Sequence, residues 1–199
     1  MQTACLPVRA EIENIGTTDS ASEMKIICST VISEGGFDPK GRPKVVAVPL
    51  ASPKDLPTTG TFTPIISIRL KDTRPDGVVF IRALEFFGVT NNTSYRWKVI
   101  TGGTLTGASW VSAGEDSSVE YDLSATAITG GTDIKSEYLN VSSGAGAALS
   151  QIGAADIFKY QLERNTFATT DKGIIYTLCA TGASNGNDAL GTIQWEEIT

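Results

Sequence analysis

Between residues 173 and 197 apolar and polar side chains alternate with a period of two, and this alternation, repeated along the chain between turn signals, most narrows the fold. In 173–180, Ile174, Tyr176, Leu178 and Ala180 share one face; after the turn-rich 181–190, Ile193 and Trp195 point one way while Thr192, Gln194 and Glu196 point the other. The same pattern opens the chain, where Val8, Ala10 and Ile12 alternate with Arg9, Glu11 and Glu13. Residues 24–34 are dense in β-branched side chains (Ile26, Ile27, Thr30, Val31, Ile32), which predicts a strand covered on both faces. Residues 44–50 read as a short strand placed at an edge or ended by Pro49, and 51–60, with Pro53 and Pro57, as a connector.

Further strands are expected over 64–70 (Ile66, Ile68 and Leu70 against Ser67, Arg69 and Lys71), 78–89 (apolar on both alternations, hence central) and 95–99. A weaker one lies around 109–111. Residues 118–123 follow with Val119, Tyr121 and Leu123 inward, then 134–141, then a run carrying Phe158, Tyr160 and Leu162. Arg74-Pro75-Asp76-Gly77, Thr90-Asn91-Asn92-Thr93 and Thr129-Gly130-Gly131-Thr132 are turn signals between them. The small-residue stretch 142–148 leads into one short helix through Ile152. About ten strands with little or no helix predict an all-β fold, an antiparallel β-sandwich or jelly roll, as a single domain over residues 1–199.

Composition excludes more than it selects. The chain has no histidine, which removes Ser-His-Asp and Cys-His nucleophile systems, histidine zinc sites and imidazole acid-base chemistry together. A formal charge of −6 disfavours a nucleic-acid partner. No run approaches the roughly 18 apolar residues of a membrane span, and the N-terminus lacks the basic segment and apolar core of a signal peptide. Cys5, Cys28 and Cys179 are too widely spaced for a metal or redox motif; one disulfide with a leftover thiol is open to them, but three small buried apolar residues is the simpler reading. No cofactor is expected.

Several constellations could carry chemistry. Glu115-Asp116, Glu120 with Asp122, and the loop residues Asn185, Asn187 and Asp188 offer oxygens to a calcium ion, without the spacing of an EF-hand; solvated loops and strand faces account for them more simply. Glu11 with Glu13 or Glu196 with Glu197 could be named as a glycosidase pair, yet nothing in the sequence places either in a cleft. The run 144–148 lacks the Lys-Ser/Thr of a phosphate loop, and Asn91, Asn92 and Asn140 stand in glycosylation sequons that matter only after secretion. Phe37, Trp110 and Tyr138, if exposed near loops, are the candidates for stacking on sugar rings or meeting a partner surface, with ordinary core packing at least as open to each, whereas Trp97 and Trp195 belong to the core.

Leu6-Pro7-Val8-Arg9-Ala10-Glu11-Ile12-Glu13-Asn14, the segment Ile27-Cys28-Ser29-Thr30-Val31-Ile32-Ser33-Glu34-Gly35-Gly36 and the closing Ile193-Gln194-Trp195-Glu196-Glu197 together resemble a virion structural family of tailed bacteriophages, whose members decorate capsids or belong to head fibres and tails. Ala10 stands where that family often has an aromatic residue. Its members carry a further N-terminal region, so the resemblance implies a shortened version or one domain of a larger architecture. It also implies a non-enzymatic, self-associating protein, a homotrimer, made in the host cytoplasm and bound in the virion to the major capsid protein or other virion proteins. The alternative is a carbohydrate-binding fibre or adhesin module that attaches to host-surface glycan.

Overall fold

The computed structural model describes residues 41–74, 77–142, 149–152, 161–165 and 173–198. The expected strands at 6–14 and 24–34, with Cys5, Cys28 and Phe37, lie outside the described residues, as do Phe158 and Tyr160 and most of the small-residue stretch. The expectation of one domain over 1–199 therefore extends beyond them. Among the described residues there are thirteen strands and no helix, so none is long and apolar enough to cross a membrane.

All pairings are antiparallel. One sheet has β1 (Arg42–Ala47), β13 (Asn187–Ile198), β4 (Val78–Gly88) and β11 (Leu149–Ile152) in that order, with β2 (Lys54–Leu56) also on β13. The facing sheet runs β10 (Thr132–Val141), β5 (Thr93–Thr101), β12 (Tyr176–Gly182), β3 (Thr63–Leu70), β8 (Val119–Asp122) and β7 (Val111–Ser112). A small third sheet pairs β6 (Thr104–Thr106) with β9 (Ala127–Thr129). This is the expected all-β sandwich.

The core is where the alternating faces meet. Inward side chains of β13 (Ala189, Ile193, Trp195) and β4 (Val79, Ile81, Leu84, Phe86) pack against Tyr95, Trp97 and Val99 of β5, Ile66 and Ile68 of β3, and Leu178 and Ala180 of β12, all nearly free of solvent. Phe86 meets Tyr95 edge-on at 5.5 Å between ring centroids and Trp97 stacked at 6.3 Å, so aromatic contacts bridge the sheets. Close approach sets residue size at two inward positions. A Cβ on Gly191 would lie 2.8 Å from Leu178 Cδ2, and one on Gly88 would lie 2.4 Å from the Tyr95 ring.

The two closing strands belong to different sheets: β12 lies between β5 and β3 while β13 lies between β1 and β4, and the chain changes sheets across 183–186. Their burial differs accordingly, every residue of β12 being buried while β13 alternates strictly. Leu149–Ile152 is strand β11, paired with Leu84–Phe87 of β4, and not the end of a helix; the backbone groups at the open edge of β4 favour a partner strand there. Leu162 is buried, but outside any strand, and docks through its own N–H on the Val79 carbonyl at 2.9 Å. The connector at 51–60 also contributes the short strand β2, which sequence alone did not suggest.

Candidate functional site

The outer face of the six-stranded sheet carries the arrangement best suited to binding. Alternation in β5 sends Tyr95, Trp97 and Val99 into the core and Ser94, Arg96 and Lys98 outward. Pairing then sets the neighbours: Tyr138 of β10 lies opposite Arg96 on one side, and Thr181 of β12 opposite it on the other. Phe62, just ahead of β3, completes a row across four strands. The Arg96 guanidinium carbon lies 5.5 Å from the ring centroids of both Phe62 and Tyr138, and Lys98 Nζ lies 4.3 Å from that of Phe62. Such contacts place a cation against the electron-rich face of a ring.

The two cations differ in what neutralises them. Lys98 Nζ donates to both oxygens of Asp133, at 2.9 and 3.2 Å. Arg96 Nε donates to Ser136 Oγ at 3.2 Å, and no described carboxylate reaches its guanidinium. Beneath Lys98, the buried Cys179 thiol donates to the Lys98 carbonyl at 3.5 Å. Burial pushes this thiol up to about 12, with nearby Lys98 pulling it back and Asp133 adding to the rise.

Two adjoining depressions open on this face. One, of about 250 Å³, is lined by Thr59, Gly60, Phe62, Arg96, Tyr138 and Thr181 among others. The second, of about 450 Å³, shares Ser94 and Ala183 with it and is lined by Asn92, Asn140 and Ser184. Ser94 Oγ donates to Asn140 Oδ1 at 2.5 Å. The rim is held in place: Gly60 N donates to Thr181 Oγ1 at 2.8 Å, and Asn185 Oδ1 accepts from Thr59 N, also at 2.8 Å.

The candidates named from sequence do not gather at this place. Tyr138 is part of it and is 74% exposed. Trp110 lies toward the other end of the sheet, half-buried, with Arg69 4.2 Å from its ring; Arg69 is already bound to Glu120 Oε1 at 2.6 Å. Phe37 lies outside the described residues. Sequence reasoning missed Phe62, Arg96 and Lys98, although the clean alternation of 95–99 already sent Arg96 and Lys98 to the same outward face.

The remaining polar constellations are accounted for by the fold. Asp122 accepts four hydrogen bonds, from the N–H groups of Ser109, Ser124 and Ala125 and from the Ser124 hydroxyl. Lys54 Nζ donates to the carbonyls of Leu123 and Ala125 in the same corner; burial lowers its pKa, and Asp122 partly restores it. Glu196 and Glu197 face opposite ways: Glu196 pairs with Arg82, while buried Glu197 accepts from Trp195 Nε1, Ser117 Oγ and Ser118 N. Asn187 Nδ2 donates to the Ser184 carbonyl and closes the 183–186 turn. Among the described residues no three Cys, Asp or Glu side chains converge as a metal site would require.

No family model, curated protein or solved structure matches the chain.

Proposed function

We propose that the chain is a non-catalytic structural protein of a tailed-phage virion, a self-associating module that binds the assembled particle. The resemblance of residues 6–14, 27–36 and 193–197 to that virion family supplies the setting. The observation that carries the mechanism is the length of strand edge that has no partner among the described residues. β10 is a ten-residue strand whose described pairing is with β5 alone, and β1 pairs among the described strands only with β13. Such edges present unpaired N–H and C=O groups that a second chain can complete. Beside the β1 edge Val45 is 63% exposed, and Leu50, shortly after it, is 81% exposed, giving apolar area to bury on association.

A trimer repeats one such contact around a closed ring. Binding only the assembled shell then stabilises it by mass action, since the protein favours the state to which it binds. Two measurements test this. Light scattering on the dilute purified chain should give three times the mass of one chain; a clean monomer counts against the trimer. Cryo-electron microscopy of particles carrying the protein should place it in many copies over the capsid. Its absence from the particle overturns the virion assignment, and confinement to a tail or a single vertex overturns shell decoration in favour of host attachment.

A further inference from the structure

We propose that the outer face around Arg96 and Tyr138 is a binding site for a saccharide bearing a single carboxylate, of the uronate or sialate class. The site holds whether or not the chain assembles on a capsid, since it draws on other side chains. Three features specify the ligand.

The first is the charge. A guanidinium is a planar fork of donors that matches a carboxylate in bidentate fashion. Arg96 spends Nε on Ser136 and leaves its terminal nitrogens without a described carboxylate, beside a depression of about 250 Å³. Phe62 and Tyr138 flank it, and the Ser136 bond fixes its direction, so little side-chain freedom is lost when an anion docks. Arg69, the other arginine set against a ring on this sheet, is neutralised by Glu120 and offers no such opening. Because Asp133 neutralises Lys98, one cation is left to be matched, which suits a monoanionic sugar better than a phosphate or a polyanion.

The second is the platform. The Tyr138 ring stands 74% exposed beside Arg96, presenting an aromatic face on which the C–H face of a pyranose can lie while the carboxylate turns to the guanidinium. The third is the polar shelf. Ser94, Asn140, Asn92 and Ser184 line the adjoining depression of about 450 Å³. Asn140 uses its oxygen on Ser94 and keeps its amide nitrogen to donate. Amides and hydroxyls that both donate and accept are the partners sugar hydroxyls require, whereas a peptide carboxylate would leave them unused.

The test is NMR titration of the full isotope-labelled chain with two matched pairs: 3′-sialyllactose against lactose, and galacturonate against its methyl ester. The expected result is that at least one acid, and neither neutral partner, shifts resonances of Ser94, Arg96, Tyr138 and Asn140. Arg96→Gln should weaken that binding by roughly tenfold or more, and Arg96→Lys, which keeps the charge but not the fork, should fall in between. Tyr138→Ala should weaken it comparably. Both sites are at the surface, so an unchanged thermal midpoint will show that the variants fold. Equal binding of acid and neutral partner, shifts confined elsewhere, or no shift with any probe would overturn the proposal. So would a Tyr138→Ala variant that dissociates an oligomer while leaving the sugar titration unchanged, since the face would then be a contact between copies of the chain.

Discussion

Asp122 is 1% exposed and still favours its charged form. Burial alone would raise its carboxyl, but the Ser124 hydroxyl and the N–H groups of Ser109, Ala125 and Ser124 outweigh that and hold it below the ordinary value of 3.8. A carboxyl depressed on folding contributes stability that is present above its unfolded pKa and lost as pH falls through the folded value. Urea midpoints followed by fluorescence should therefore decline below about pH 4 in the native chain. Asp122→Asn should lower the midpoint at pH 7 and flatten that acid decline; an unchanged acid slope would refute the assignment. Cys179 gives a second check at this scale. With its thiol pushed up to about 12 by burial, it should resist a disulfide-exchange reagent at pH 8 in a Cys5→Ser, Cys28→Ser background and react once denaturant is added. Rapid labelling of the folded protein would contradict its burial.

At the scale of strands, the closing element β13 joins more of the described fold than any other described strand, pairing with β1, β2 and β4. Glu197 at its far end accepts from Ser118 N at 2.8 Å and Trp195 Nε1 at 2.7 Å, tying the five-stranded sheet to the turn before β8 in the other. Removing the acceptor while leaving those donors buried should cost about 1–3 kcal/mol in Glu197→Ala, read from urea unfolding. Gly191→Val tests the opposite limit, since its side chain would meet Leu178 and Ile65 across the sandwich; a loss of about 1–3 kcal/mol is expected from overpacking. The inward faces of these strands were legible in sequence, because Ile193, Trp195, Ile66 and Ile68 alternate with polar neighbours. Sheet membership was not. Period two tells which way a side chain points, but not which strand lies beside it, so nothing in the alternation of β12 and β13 shows that they belong to different sheets. Nor could sequence show that Asp122 would be enclosed with Val119, since its donors come from loop residues whose paths depend on the whole fold. The site was half legible for a related reason: Tyr138 stood out as an aromatic side chain within the expected strand 134–141, whereas Phe62 meets Arg96 only through the β3–β12–β5 pairing.

For the whole molecule, the question is whether the two sheets hold together as one cooperative body. Trp97 belongs to the six-stranded sheet and Trp195 to the five-stranded one, and both are buried in the same core, with Phe86 packed on Trp97 from across the sandwich. Neither sheet has another partner of comparable apolar area among the described residues, so separating them would expose the inner faces of both at once. Unfolding should then be a single transition whichever sheet reports it. Variants retaining one tryptophan, Trp97 or Trp195, with the other two replaced by phenylalanine, allow the comparison. Absolute midpoints will differ between them, since each loses core volume. Within each variant, however, the tryptophan fluorescence transition should coincide with that of far-ultraviolet circular dichroism from 41–198 strand structure. A Trp195 signal that melts while most of the β-sheet signal persists would mean that the five-stranded sheet opens on its own, and that β13 is a detachable element instead of the strand that closes the core.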